Sequence, residues 1–76
     1  MAKPKPVHVT PRPDGDWSVQ REGGERASSI HDTQAQAEAE GRRLARQDET
    51  EFLLHGRDGR IRARDSYGND PYPPKG

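Results

Sequence analysis

The chain has 76 residues, of which 26% are hydrophobic and 34% are charged, and its formal net charge at neutral pH is zero. This length allows one small domain, and the charge balance excludes the strongly basic chain typical of many nucleic-acid-binding proteins. The sequence contains no cysteine, which excludes disulfides and thiolate metal sites. It contains no apolar run near the ~20 residues that span a bilayer, so we expect a soluble, cytoplasmic protein without membrane contact.

The first elements in the chain are predicted to be two strands of a hairpin, because residues 7–10 and 17–20 both alternate apolar and polar side chains. A three-residue loop, Pro13-Asp14-Gly15, with positive φ at Gly15, places the valines of both strands and Trp17 on one face. A two-residue Asp-Gly turn would put Trp17 on the opposite face from the valines. The three-residue loop is therefore the prediction.

A third strand is predicted after Gly23-Gly24, which favours a tight two-residue turn. In that register Val19 faces Ser28 and Trp17 faces Ile30, so Ile30 joins the apolar face. Residues 7–31 are thus predicted to form a three-stranded antiparallel meander.

A helix is predicted to begin after Thr33, which is a favourable N-cap, with Gln36 completing a capping box. Its apolar face is narrow and consists of small residues and one leucine: Ala37, Gly41, Leu44 and Ala45. Gly41 costs ~1 kcal/mol relative to alanine in a helix interior. Close approach of the helix to a sheet would explain it.

A final hairpin is predicted around Asp58-Gly59, which favours a two-residue type I′ turn. In this register Gly56 faces Ile61 and Leu54 faces Ala63. The inner face is then apolar: Phe52, Leu54, Ile61 and Ala63. The outer face, our candidate interaction surface, contains Leu53, His55, Arg57, Arg60, Arg62 and Arg64.

Together these elements predict an α+β domain with the order β-β-β-α-β-β, one mainly antiparallel sheet and one helix packed on one of its faces. The sequence does not determine how the last hairpin joins the meander: pairing of the last strand with the first would be reasonable, and parallel or split arrangements stay open. Residues 1–6 are predicted to be a flexible arm, 7–67 the domain, and 68–76 a proline-rich tail. Two roles stay open for the tail: a strap docked on the domain, which we favour, and a ligand for an aromatic-lined groove of a partner. The predicted core contains Val7, Val9, Trp17, Val19, Ile30, Leu44, Phe52, Leu54 and Ile61.

Two functions are compatible with this architecture. The first is a non-catalytic interaction module that binds a protein partner or a second copy of itself through the open sheet face or an edge strand. The alternative is a nucleic-acid accessory protein whose outer arginines contact phosphates, although no aromatic side chain is predicted there to stack on bases. No catalytic motif or cofactor-binding loop is recognisable, and the three histidines lack metal-ligand spacing. We therefore expect neither an enzyme nor a metal or cofactor site.

The order of the elements and the composition of the closing segment resemble a known family of proteins. His-Gly-Arg-Asp-Gly-Arg-Ile (55–61) and the later Asp-Ser-Tyr-Gly-Asn-Asp-Pro and Pro-Pro-Lys-Gly stretches follow an Ala/Glu-rich helix and a strand that ends in Asp-Thr. In this order they resemble a family of small bacterial proteins, domain of unknown function 2188, over residues 7–76. The resemblance implies a bacterial, cytoplasmic, single-domain protein. It implies no activity and no site residues.

Overall fold

A computed structural model describes residues 5–24 and 27–67. The elements follow in the predicted chain order: β1 (Val7–Pro11), β2 (Trp17–Arg21), β3 (Ser29–His31), α1 (Gln34–Asp48), β4 (Glu51–His55) and β5 (Ile61–Ser66). The predicted α+β class with one helix and one sheet is confirmed. Apart from Lys5 and Pro6, the predicted arm lies outside the described residues, as does the predicted tail 68–76.

The five strands form one mixed sheet in the order β3-β2-β1-β4-β5. β1 and β4 run parallel, and the other three pairs are antiparallel. The last strand does not lie beside the first, the arrangement named above as reasonable; β4 lies there instead, which is one of the parallel arrangements left open. The helix explains this order: its 15 residues span about 22 Å, so the chain can return from β3 across the sheet to the free edge of β1. A parallel pair needs such a crossover connection.

The first hairpin has the predicted register. Val9 pairs with Val19, and Val7 pairs with Arg21. Gly15 has a φ of 102°, and the loop is closed by Arg12 N–H, which donates to the Asp16 carbonyl at 2.8 Å. This loop keeps Trp17 on the same face as the valines, and Trp17 is only 6% exposed.

The predicted register of β3 was wrong by one residue. Ser18 pairs with Ile30 and Trp17 pairs with His31, so Ile30 lies on the face opposite Trp17 and is 44% exposed. The connection is longer than a two-residue turn. Gly23 has a φ of 80° in a turn closed by Gly24 N–H on the Arg21 carbonyl, and β3 begins only at residue 29. The predicted pairing of Glu22 with Glu25 lies outside the described residues.

The helix begins and packs as predicted. The Thr33 side chain accepts a hydrogen bond from Gln36 N–H, and the buried face is Ala37, Gly41, Leu44 and Ala45. Gly41 allows the close approach to the sheet: a Cβ atom there would lie 2.7 Å from Val9 Cγ2 and 2.8 Å from Phe52 Cε1. The helix therefore rests directly on β1 and β4. A larger residue at position 41 would push it away.

The last hairpin was predicted correctly at its base and wrongly at its tip. Phe52 pairs with Asp65 and Leu54 with Ala63 as expected, but the tip is a three-residue loop, because Gly56 N–H donates to the Arg60 carbonyl at 2.7 Å. A β-bulge at Leu54/His55 absorbs the extra residue. His55 consequently pairs with Ile61, and Ile61 is 51% exposed rather than buried.

The hydrophobic core lies between the helix and one face of the sheet. It contains the predicted residues other than the two isoleucines, together with two helix alanines: Val7, Val9, Trp17, Val19, Ala37, Leu44, Ala45, Phe52 and Leu54.

Candidate functional site

The candidate site is the sheet face that lies opposite α1, which we call the open face. The single helix of the described chain packs on the other face. Side chains alternate along each strand, so the open face receives one residue from every strand in a row that crosses the sheet. This isoleucine row is Ile30, Ser18, Thr10, His55 and Ile61, in the order of the strands. The step from Thr10 to His55 continues the parallel register in which Val9 lies beside Leu54.

A second row lies next to the isoleucine row. It contains Gln20, His8, Leu53 and Arg64. Leu53 was expected to be exposed but is 8% exposed, because it lies between His8 on β1 and Arg64 on β5. Long side chains can shield an apolar neighbour with their stems while their charged ends stay in water. Leu53 therefore contributes little accessible surface itself.

Two histidines meet at the centre of the open face. The rings of His8 and His55 meet edge to edge through their nitrogens, with ring centroids 5.1 Å apart and ring planes 28° from parallel. His8 Nδ1 lies 2.9 Å from His55 Nε2. This contact follows from the parallel pairing of β1 with β4, which brings together residues 47 positions apart in the chain.

Glu22 extends this pair into a hydrogen-bonded chain. Its Oε1 lies 2.9 Å from His8 Nε2, so His8 Nε2 carries the proton that is donated to the carboxylate. Burial, and then the neighbouring His8, lower the pKa of His55. His55 consequently stays neutral at a lower pH than an exposed histidine would.

The six residues of the predicted outer face do not form one stripe. His55 and Arg64 lie on the open face, and Arg64 Nη2 is 3.7 Å from Glu51. Arg62 lies against Gly56, where the bulge has changed the alternation of side chains. Arg60 is exposed beside the loop. The arginines are thus spread over the tip and edge of the hairpin.

Arg57 has a structural role instead. Its guanidinium lies over the Trp17 ring, 4.8 Å from the ring centroid, and its Nη2 donates to the Gly15 carbonyl at 2.8 Å. The two Asp-Gly loops lie side by side because β1 and β4 are parallel. Arg57 therefore joins one loop to the other and covers the tryptophan.

Sequence reasoning missed most of the open-face residues. Ile30 and Ile61 were predicted to be buried, and His8, Thr10 and Ser18 were not part of the candidate surface. The alternation of β1 and β2 was sufficient to place the last three opposite the valines. The isoleucines required the registers of β3 and of the last loop, which the sequence leaves weakly determined.

The described residues were also compared with what a pocket, a metal site and a membrane-spanning helix require. A shallow depression of about 260 Å³ adjoins His8 and is lined by Thr10, Gln20, Arg21, Glu22 and Gly23. Within 5–24 and 27–67, no three His, Cys, Asp or Glu side chains are grouped as metal ligands would be. The helix found in this part of the chain lacks the length and apolar character to cross a membrane.

A family model described as an uncharacterized protein conserved in bacteria, DUF2188, matches residues 7–67. The chain belongs to this family. The match spans β1 to the residue after β5, so the whole described fold of this DUF2188 protein lies within it. Searches of curated proteins and of solved structures gave no match.

Proposed function

We propose that this DUF2188 protein is a non-catalytic interaction module whose open face binds a second copy of the same chain. One observation carries the proposal: the exposed large hydrophobic side chains of the described chain, Ile30 and Ile61, lie at the two ends of the same row. Single exposed apolar residues are ordinary on protein surfaces. Two isoleucines that frame one sheet face, on which no second layer lies within residues 5–24 and 27–67, favour an interface.

The arrangement of the row supports a second copy as the partner. β1 is the middle strand of the five, with Ile30 two strands away on one side and Ile61 two strands away on the other. A two-fold axis along β1, in the plane between two facing sheets, brings Ile30 of each copy onto Ile61 of the other. Such an isologous contact uses the same surface on both copies. The zero net charge removes long-range repulsion between copies.

The size of the face sets the expected affinity. Five strands about 4.8 Å apart, with about five residues each at 3.3 Å, give a face of roughly 19 by 16 Å. The area of such a face, roughly 300 Å² as the product of these two lengths, is smaller than the ~800 Å² per partner of a standard interface. We therefore expect a weak, reversible dimer that forms in the micromolar range or above.

Sedimentation velocity across a wide concentration range tests the proposal. The wild-type chain is expected to shift from monomer to dimer, and Ile30→Lys and Ile61→Lys are each expected to stay monomeric without a lower melting temperature. Gln47→Lys is the matched control, because Gln47 is an exposed helix residue on the other side of the sheet. A wild-type protein that remains monomeric at millimolar concentration contradicts the proposal.

A mixing experiment tests the symmetry of the contact. Ile30→Lys and Ile61→Asp should each be monomeric alone. Mixed together they should form a heterodimer, because one contact gains a lysine–aspartate pair and the other keeps two isoleucines. A dimer in which Ile30 meets Ile30 would not be rescued by this mixture. Failure of rescue, with self-association of the wild type intact, would refute the arrangement.

A further inference from the structure

We propose that the hydrogen bond between His8 and His55 makes self-association of the open face depend on pH, with a dimer at neutral and alkaline pH and a monomer in mild acid. This inference rests on the proposed self-association and adds its regulation. The two rings meet with His8 Nδ1 2.9 Å from His55 Nε2 and with ring centroids 5.1 Å apart. The two nitrogens therefore point straight at each other, in the middle of the face that a second copy would cover.

This geometry limits the number of protons that the histidine pair can hold. A hydrogen bond between two imidazole nitrogens needs one N–H donor and one lone pair. His8 Nε2 donates to Glu22 Oε1 at 2.9 Å, so in the neutral pair His8 Nδ1 accepts and His55 Nε2 donates. One added proton, on His55 Nδ1, leaves this bond intact. When both rings are charged, both facing nitrogens carry a hydrogen atom, so the bond breaks and the rings have to move apart into water.

The proposed dimer places the pair where the rings have no room to separate. With the two-fold axis along β1, the two His8 side chains of a dimer face each other across the axis. Facing sheets pack about 10 Å apart, so both rings share one gap between two strands. His55 lies one strand away on β4 and faces Ser18 of the second copy. A charged His55 would therefore lose water and meet an uncharged hydroxyl group.

The charged groups around the pair do not compensate a charge on His55. They belong to the open face and its loops: Arg12, Glu22, Glu51, Asp58, Arg60 and Arg64. Glu22 bonds the pair through His8 rather than through His55, and Glu51 lies 3.7 Å from Arg64. Burial, and then His8, lower the pKa of His55. A covering copy adds to that burial and favours the neutral ring further.

The sign of the pH effect follows from the number of bound protons. The dimer holds fewer protons than two monomers, so acid shifts the equilibrium towards the monomer. With one proton excluded per chain, the dissociation constant rises up to about 100-fold for each pH unit below the pKa of the excluded proton. An ordinary histidine titrates near pH ~6.5, and the pKa of His55 is lowered from that value. Self-association should therefore be constant above about pH 7 and weaken between about pH 6.5 and 5.

Sedimentation velocity of the wild type at about pH 8 and about pH 5, on either side of the histidine range, tests this pH switch. The dissociation constant is expected to rise at least tenfold in acid. The His8→Gln/His55→Gln double variant should dimerise almost equally at both pH values, because an amide offers both a donor and an acceptor and does not titrate. His31→Gln is the matched control. His31 pairs with Trp17 on the helix side of the sheet, so this variant should keep the full pH dependence.

The histidine resonances in NMR spectra give a second measurement that leaves the pair unchanged. Ile30→Lys, which is expected to be monomeric, changes a residue on β3, three strands away from His55 on β4. The pKa of His55 should be lower in the wild type at dimer-forming concentration than in this variant. Circular dichroism at each pH establishes whether the chain is folded.

The outcomes separate the pH switch from the self-association on which it rests. A wild-type dimer with the same dissociation constant at both pH values, or with a His55 pKa equal to that of Ile30→Lys, would overturn the switch alone. Unchanged pH dependence in a folded double variant, or dissociation that coincides with unfolding, would overturn it as well. A wild type that stays monomeric at every pH contradicts the self-association itself, and the switch with it.

Discussion

Replacement of Gly41 by alanine should destabilise this protein, although the same change stabilises most exposed helix positions. Two opposing contributions decide whether the free energy of unfolding falls or rises. The helix gains ~1 kcal/mol of propensity. Against this, the new Cβ would lie 2.7 Å from Val9 Cγ2 and 2.8 Å from Phe52 Cε1, and insertion of a methyl group into a packed core typically costs about 1–3 kcal/mol.

The expected net loss is about 1 kcal/mol, which corresponds to roughly 4–8 °C in melting temperature for a domain of this size. Thermal and denaturant unfolding followed by circular dichroism measures it. Ala39→Gly, at an exposed position on the same helix, measures the propensity term alone and should also cost ~1 kcal/mol. Gly41→Ala and Ala39→Gly should therefore both destabilise the protein, although the first adds a methyl group to the helix and the second removes one.

A double-mutant cycle identifies the contact responsible. Val9→Ala removes the methyl group nearest to the new Cβ, so Gly41→Ala should cost less in the Val9→Ala background than in the wild type. Refutation is simple: a Gly41→Ala variant that melts above the wild type would show that the helix can move away from the sheet without loss of packing.

Three further outcomes are expected. Trp17→Ala should cost ~3–5 kcal/mol and Trp17→Phe clearly less, as measured by equilibrium unfolding; equal melting of wild type and Trp17→Ala would show that the indole is not part of the core. Gly59→Val should destabilise more than Gly59→Asn, because Gly59 has a φ of 85° and asparagine tolerates positive φ better than a β-branched residue; equal losses would contradict the loop assignment. The Arg62→Ser/Arg64→Ser double variant should change stability by less than ~1 kcal/mol, and any nucleic-acid binding by the wild type should vanish near physiological salt, where screening acts beyond ~8 Å. Micromolar binding to DNA or RNA at that salt, abolished by the double variant, would favour the phosphate-binding alternative over the interaction module.

The elements that could be predicted are those in which several residues impose the same answer. In the first hairpin, Val9, Val19 and Trp17 share a face only with the three-residue loop, so the pattern determined the register. In the helix, the cap at Thr33 and the small face around Gly41 were independent signals that agreed. Both elements are confirmed by the structure.

The failures have a common cause, which is that too few apolar residues define the pattern. β3 has three residues and one large apolar side chain, so a shift by one position changes only the side on which Ile30 lies. Asp58-Gly59 is compatible with a two-residue turn and with the last two positions of a three-residue loop. The two-residue choice buried Ile61 and therefore looked more favourable.

The parallel pairing of β1 with β4 was beyond local reasoning, because nothing within either strand specifies a neighbour more than 40 residues away. The contacts that depend on it were consequently missed. They include the hydrogen bond between His8 and His55 and the placement of Arg57 over Trp17. Both join residues from the two halves of the chain.

One face of the sheet contributes most of the hydrophobic core, and the other carries the proposed binding surface. The core cluster lies on the helix side, whereas the isoleucine row and the two histidines lie on the open face, where Ile30 and Ile61 are 44% and 51% exposed. The hydrophobic contribution to stability is roughly proportional to the apolar area removed from water, so substitutions at Ile30, Ile61 or His8 should perturb folding far less than substitutions at Phe52. A loss of self-association in those variants therefore reports on the surface itself.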